Sequence, residues 1–261
     1  MTIQETIDKL TKDVWENIGL SNKLKTKYGE ETISDILLLE LAKLNNYNLR
    51  IVQTPKDVEK FKGTDWEWLI GSQTYGWIRF AIQAKKADPN SINGNYNCLK
   101  HNVGEEEQID ILKRYSNANN AIPLYCFYNH YPKANQRDHW HCKKPFEQEL
   151  LGWTITSTKN VETALVTHGC RNFEFIHKQK DSLPTKCLFD CPILIKQYQD
   201  KSLIGNEIQM FDSIVTKIKS IPNFLIEGRD IMSIDSFPEE LYNRQIEIYP
   251  KRIAIFDLRD Y

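Results

Sequence analysis

An α/β fold built on a mixed sheet is what this 261-residue sequence predicts, and three observations carry the prediction. Apolar residues recur at helical spacing near the start (Ile7, Leu10, Val14, Ile18), the pattern of an amphipathic helix. Two β-type runs flank a turn at Gly71-Ser72-Gln73-Thr74, the signature of a hairpin. A second helical stripe (Ile109, Leu112, Tyr115) leads into the unbroken apolar run from Ile122 to Asn129, which reads as a fully buried strand. A helix crossing between two strands places the later strand parallel to a neighbour.

Taken in order, the first helix is expected over about 4–18 and the second over about 32–45, with Thr32 or Ser34 as N-cap and Gly29 as the break before it. Ile33, Ile36, Leu37, Leu41 and Leu44 form the apolar face of the second. A short strand at 49–53 stops at Thr54-Pro55, and the hairpin follows Gly63. A loop over 88–95, rich in turn formers, precedes a helix over 105–117 and the strand over 122–129. From His130 to Gln148 the chain is polar, aromatic and rich in His, Lys and Pro, and reads as a long loop. Beyond it, helices are expected over 161–166, 192–198 and 211–218, and strands over 224–226 and 252–256. The expected division is a core over 1–149 and a C-terminal α/β lobe over 150–261.

Composition narrows the function classes. The longest apolar runs are short, as at Ile36-Leu37-Leu38-Leu39, so no transmembrane helix is available. The first residues lack the basic and apolar regions of a secretory signal, and the cytoplasm is the expected compartment. A net charge of −1 neither selects nor excludes nucleic acid: a general phosphate binder is more basic, whereas a nuclease needs only a local basic cleft. The six cysteines are expected as reduced thiols, with Cys126 in the core. There is no Gly-rich phosphate loop, GxSxG elbow, GxGxxG or HExxH.

The hairpin concentrates the chemistry. Side chains alternate faces along a strand, so Asp65 and Glu67 share one face of the first strand and Trp66 and Trp68 the other. On the second strand Gln83 and Lys85 share a face. Two acids beside an amide and an amine can hold a divalent cation and a water next to a phosphate. Phosphodiester hydrolysis needs a metal to polarise the phosphoryl oxygen and a deprotonated water. Mg²⁺, or Mn²⁺ in its place, takes hard oxygen ligands from one or two carboxylates and keeps several waters. Asp65 is the main ligand expected, Gln83 adds its amide oxygen and Ala84 its backbone carbonyl. Lys85 positions the water or neutralises charge growing on the phosphorane.

With Gly63-Thr64-Asp65 at the start of one strand and Gln83-Ala84-Lys85 on the next, the sequence resembles the PD-(D/E)XK nuclease superfamily, in the Gln-x-Lys form of Mrr-type restriction endonucleases. Gly29-Glu30-Glu31-Thr32-Ile33-Ser34 is similar to the acidic start of that family's first core helix. More closely, the chain resembles an uncharacterised bacterial family with an Asp-Trp-Glu-Trp strand, a Gln-Ala-Lys strand and the run Pro123-Leu124-Tyr125-Cys126-Phe127-Tyr128-Asn129. The resemblance covers roughly 30–129. It implies the restriction-endonuclease-like αβββαβ core, a Mg²⁺-dependent endonuclease acting on DNA, and a setting in defence against foreign DNA. It also implies that Glu30 completes the acid set with Asp65, Gln83 and Lys85. Two departures stand out: Gln83 replaces the commoner Glu, and Thr64 stands where Pro is usual. Glu67, on the same strand face as Asp65, is the expected source of the missing charge at the metal.

Other expectations compete. Asp65 and Glu67 can be the solvated face of an edge strand, with Lys85 pairing across it. Glu31 suits a first-turn acid favoured by the helix dipole, Asn129 a turn, and Gln108 either the site or an exposed position. Trp66 and Trp68 read as core. His139, His141, Cys142, Cys187 and Cys191 are candidate zinc ligands, but they lack zinc-finger spacing, so ordinary thiols and loop histidines are the preferred reading. The alternative to a nuclease is an inactive binding or assembly protein on the same fold, suggested by near-neutral charge and Gln83. A zinc-stabilised C-terminal lobe serving protein contacts is a third. No membrane partner is expected, and a homodimer or a protein partner is allowed.

Overall fold

Thr2 starts the first helix through a capping box. Its hydroxyl accepts from the Glu5 amide at 3.2 Å and the Glu5 carboxylate accepts from the Thr2 amide at 2.8 Å, so two otherwise orphaned donors are satisfied. In the computed structural model, which describes residues 2–44, 49–53, 64–88, 91, 93–133, 136–221 and 252–258, this helix, α1, spans Ile3–Leu24 and continues past the expected end at Ile18. Then come α2 (Glu30–Ala42), β1 (Leu49–Gln53), β2 (Trp66–Ser72), β3 (Gly76–Lys86), the small pair β4 (Asn102–Val103) and β5 (Glu106–Glu107), α3 (Gln108–Ala118) and β6 (Ile122–Tyr128). The rest of the chain adds β7 (Trp153–Ser157), α4 (Thr158–Val166), α5 (Phe173–His177), β8 (Leu183–Pro184), α6 (Cys187–Asp190), α7 (Pro192–Gln199), β9 (Glu207–Met210), β10 (Ser213–Thr216) and β11 (Arg252–Asp257).

The α/β prediction holds. One seven-stranded sheet runs in the order β1-β11-β2-β3-β6-β7-β8. It is mixed: β11 lies parallel to β2, whereas β1–β11, β2–β3, β6–β7 and β7–β8 are antiparallel. By contact density the chain divides into two compact units that interleave in sequence: Met1–Glu40, Ala84–Ile109 and Leu124–Ile195, and Leu41–Gln83, Asp110–Pro123 and Lys196–Tyr261. Neither unit corresponds to the expected lobe over 150–261. β7 and β11 both belong to the main sheet, because buried strands need hydrogen-bonded neighbours wherever in the sequence those lie.

In the first unit, Trp15, Tyr131, Leu151 and Phe173 form a buried cluster. Gly152 lets α1 approach closely, since a Cβ there would lie 2.4 Å from the Thr11 carbonyl oxygen. Helix α2 begins at Glu30, so Ser34 is not its cap. Ser34 is instead buried, with its hydroxyl 2.8 Å from that of Tyr128 on β6. In the second unit, Leu69, Trp77, Ile221, Ile253 and Ile255 pack together. Gly76 (φ +78°) turns the hairpin where a side chain would meet the Ile218 carbonyl at 2.8 Å.

The helix expected over 211–218 is instead the β9–β10 hairpin. Phe211 and Asp212 both take left-handed φ values, 48° and 59°, the requirement of a tight two-residue hairpin turn. Ile208 and Met210 are buried whereas Glu207 and Gln209 are exposed, a period of two. The strand expected over 224–226 lies outside the described residues.

Candidate active site on the β2–β3 hairpin

Register decides which side chains meet. Trp66 pairs with Ile82 and Glu67 with Ala81, and the Asp65 amide donates to the Ile82 carbonyl at 3.1 Å. The Thr64 hydroxyl donates to the carbonyls of Trp66 (2.8 Å) and Ile82 (2.7 Å). That hydroxyl pins the strand start where the resemblance expects proline. Asp65 therefore faces Gln83, whose Nε2 donates to Asp65 Oδ2. The Gln83 amide oxygen is by its chemistry a further hard donor. On the opposite face Trp66 and Trp68 are core, as expected, at 0% and 1% exposure, with the Arg252 guanidinium over the Trp66 ring.

Neither Asp65 nor Glu67 belongs to a solvated edge. β2 is flanked by β11 and β3, and both acids are buried. Glu67 has a different role from the one expected. Arg79 Nε and Nη2 donate to its two carboxylate oxygens at 2.6 and 2.9 Å, and the Tyr115 hydroxyl donates to Oε2. Arg79 also donates to the Asn119 carbonyl at 3.1 Å. Burial alone lowers the Arg79 pKa, but the Glu67 charge and hydrogen bonds outweigh it and the net direction is up. Burial, reinforced by Glu67, holds the Tyr115 phenol well above its usual value, so it remains a donor. The expectation that Glu67 adds charge to a metal gives way to this closed ion pair.

Lys85 lies two residues beyond Gln83 on β3 and hence on the same strand face. It is 4% exposed. Its ammonium donates to Gln108 Oε1 at 2.6 Å, and among the described residues it forms no ion pair. Gln108 is the first residue of α3 and is anchored by its amide, which donates to the His101 carbonyl at 2.9 Å. Glu30 opens α2, half-buried, and Glu31 beside it is exposed. Burial lowers the pKa of Lys86, against the opposing charges of Asp88 and Glu30. Glu30 is thus within electrostatic reach of Lys86.

The donors suit a hard cation only in part. Among the described residues no group of three or more His, Cys, Asp and Glu could hold a metal ion. Asp65 with the Gln83 oxygen is the minimal set, adequate for Mg²⁺ that keeps most of its water and shares substrate phosphates.

The histidine- and cysteine-rich stretch resolves differently. His139 is buried against Phe173 (ring centroids 5.3 Å apart) and His141 Nε2 lies 2.9 Å from the His177 carbonyl. All six cysteines are free thiols. Cys126 is core, as expected. Asn129 is not a turn residue but a buried clasp. Its Nδ2 donates to the Leu151 carbonyl at 3.0 Å and to Thr154 Oγ1 at 3.2 Å, while the Tyr96 hydroxyl donates to its Oδ1 at 2.7 Å. The Arg79–Tyr115 partnership escaped the sequence reading, although Arg79 alternates in phase with Gln83 and Lys85.

A family model matches residues 3–259. The chain belongs to DUF6615, a family of unknown function. No curated protein matches it. The DUF6615 match takes in Asp65, Gln83, Lys85 and Gln108, and it extends through β11. Among the described residues of this DUF6615 chain, no helix is long and apolar enough to cross a membrane.

Proposed function

We propose that this DUF6615 chain is a metal-dependent nuclease hydrolysing phosphodiester bonds, with DNA as substrate and defence against foreign DNA as setting. The observation that carries the reading is Lys85: a nearly buried ammonium whose partner is a neutral amide. Removing an ammonium from water costs several kcal/mol, and an amide returns only part of that. A phosphate arriving at the strand face supplies the missing negative charge.

Asp65 and Gln83 would hold Mg²⁺ or Mn²⁺, which supplies Lewis-acid polarisation of a phosphoryl oxygen when bound. Lys85 orients the attacking water and neutralises charge developing on the phosphorane. Gln108 fixes the ammonium in one position. Glu30, at the start of α2, is the further acid of the proposed set. The reading places the protein in the cytoplasm with its substrate and allows a homodimer or a protein partner.

A second reading, an inactive binding or assembly protein on the same fold, is favoured by one observation: the Asp65 carboxylate is already engaged by the Gln83 amide. Cleavage of supercoiled plasmid in Mg²⁺ or Mn²⁺ separates the two. The nuclease reading expects cutting by the wild type that EDTA abolishes and that folded Asp65→Ala and Lys85→Ala variants lose. Equal cutting by wild type and variants, or none by either, rejects it. Retained DNA binding without cutting supports the second reading.

A further inference from the structure

The polar, aromatic stretch after β6 carries charge that the hairpin chemistry does not use. Over 131–146 there are four cations, Lys133, Arg137, Lys143 and Lys144, against one acid, Asp138, in a chain whose net charge is −1. Lys144 is committed, its Nζ 3.0 Å from Asp190 Oδ1. Lys133, Arg137 and Lys143 are exposed, and among the described residues none of the three forms an ion pair. Aromatic rings stand among these cations. The Arg137 guanidinium lies over the Phe146 ring, 5.8 Å from its centroid. Trp140 meets the same ring edge to face, with centroids 5.6 Å apart at 89°. Lys133 Nζ is 4.7 Å from the centroid of the Tyr131 ring. Trp140 and Phe146 pack against the buried cluster of Trp15, Tyr131, Leu151 and Phe173 but are themselves only partly buried, so part of each ring meets solvent.

Hydrogen bonds hold this surface in one shape. The Trp140 amide donates to the Arg137 carbonyl at 3.1 Å, and its indole N–H donates to the Lys144 carbonyl at 2.8 Å. A turn is thereby closed on either side of Trp140. His141 Nε2 lies 2.9 Å from the His177 carbonyl oxygen. With Lys144–Asp190, that contact ties the turns to α5 and α6 of the same compact unit.

We propose that this surface binds single-stranded nucleic acid, with Lys133, Arg137 and Lys143 meeting phosphates and Trp140 and Phe146 stacking on bases. Single-strand binders combine cations that follow the backbone with rings on which unpaired bases stack. The cations alone suit any polyanion, and the rings select the strand state. A duplex keeps its base faces against one another and presents phosphate, which leaves Trp140 and Phe146 unused. A single strand turns base faces outward. Because the turns around Trp140 are already fixed, little ordering is left to oppose binding. The bound strand is a substrate only under the nuclease reading, whereas its capture needs no metal.

The test measures binding by the full chain in EDTA, where no metal-dependent cutting occurs, so its result is separate from that of the plasmid assay. Fluorescence anisotropy compares labelled oligo-dT, oligo-U and a duplex, each of about 16 nucleotides, the upper end of site sizes for such surfaces. One or both single strands should bind at least about 10-fold more tightly than the duplex, and the arm that wins tells DNA from RNA. Trp140→Ala should weaken single-strand binding by about 10-fold, and Trp140→Phe should restore most of it. Lys143→Gln, at an exposed position away from the core, should lower the slope of log affinity against log salt by about 0.7. Duplex bound as tightly as single strands, affinity untouched by Trp140→Ala, a salt slope unchanged by Lys143→Gln, or no binding at all overturns the proposal.

Discussion

Arg79 and Lys85 lie on the same strand, alternate onto the same face and are almost equally buried, at 8% and 4% exposure. Their partners differ. Arg79 is closed in by a carboxylate, a phenol and a backbone carbonyl, whereas Lys85 has the Gln108 amide. A buried cation with a matched anion is neutral and complete as built. A buried cation held by an amide carries a charge that nothing nearby among its partners cancels. The first is an arrangement for holding β2, β3 and α3 together, and the second is an arrangement for receiving an anion.

The comparison breaks most readily on stability. Arg79→Met leaves Glu67 buried and unpaired, so urea unfolding should show a loss of about 3–5 kcal/mol. Lys85→Met, which removes a buried charge and leaves only an amide behind, should be neutral or stabilising. A large loss at Lys85 would make it a structural cation like Arg79. Activity should invert the order: under the nuclease reading, a folded Lys85→Met protein cleaves plasmid at least about 100-fold more slowly, because charge on the phosphorane goes unanswered.

A buried titratable group kept neutral extends the contrast. His177 is fully enclosed, its ring nitrogens 2.8 Å from the Phe173 carbonyl oxygen and 2.7 Å from the Thr154 hydroxyl. Burial lowers its pKa to about 3, against the opposing Phe173 bond. The unfolded chain binds this proton near the ordinary value of about 6.5, which the folded chain refuses until about pH 3. The stabilisation is therefore whole above about pH 6.5 and falls on acidification towards pH 3, by about 1.4 kcal/mol per pH unit for one proton. Unfolding series at several pH values should show that slope in the wild type and its loss in a folded His177→Gln protein. The smallest effect is expected at Lys12–Glu147, a 2.5 Å pair with both side chains two-fifths exposed or more. Glu147→Gln should cost less than about 1 kcal/mol, and that little should vanish in high salt.

Periodicity made α1, the β2–β3 hairpin, α3 and β6 legible in the sequence, since each buries one face or both. It could not say what β11 pairs with, because an apolar run looks the same beside any neighbour. Nor did it separate Glu67 from Asp65. Both acids sit on one strand face, and only the register, with Ala81 opposite Glu67 and Arg79 diagonal to it, assigns one to an ion pair and leaves the other beside Gln83. Gln108 was half legible: helical spacing placed it near the face, but its bond to Lys85 depends on where α3 starts. The β9–β10 turn was missed because Phe and Asp do not announce left-handed φ values as Gly and Asn do.

The place of β11 bears on synthesis. A ribosome delivers β1 and β2 long before the strand that must lie between them, a separation of about 200 residues in sequence. Until Arg252–Asp257 emerges, both strands keep an unpaired edge, and such edges recruit other chains. The nascent protein thus has a long interval in which its central sheet is open, and a ribosome that stalls before Arg252 releases a product with two sticky borders. Chaperone dependence of expression, and insolubility of chains stopped at residue 251, are where that timing should be visible.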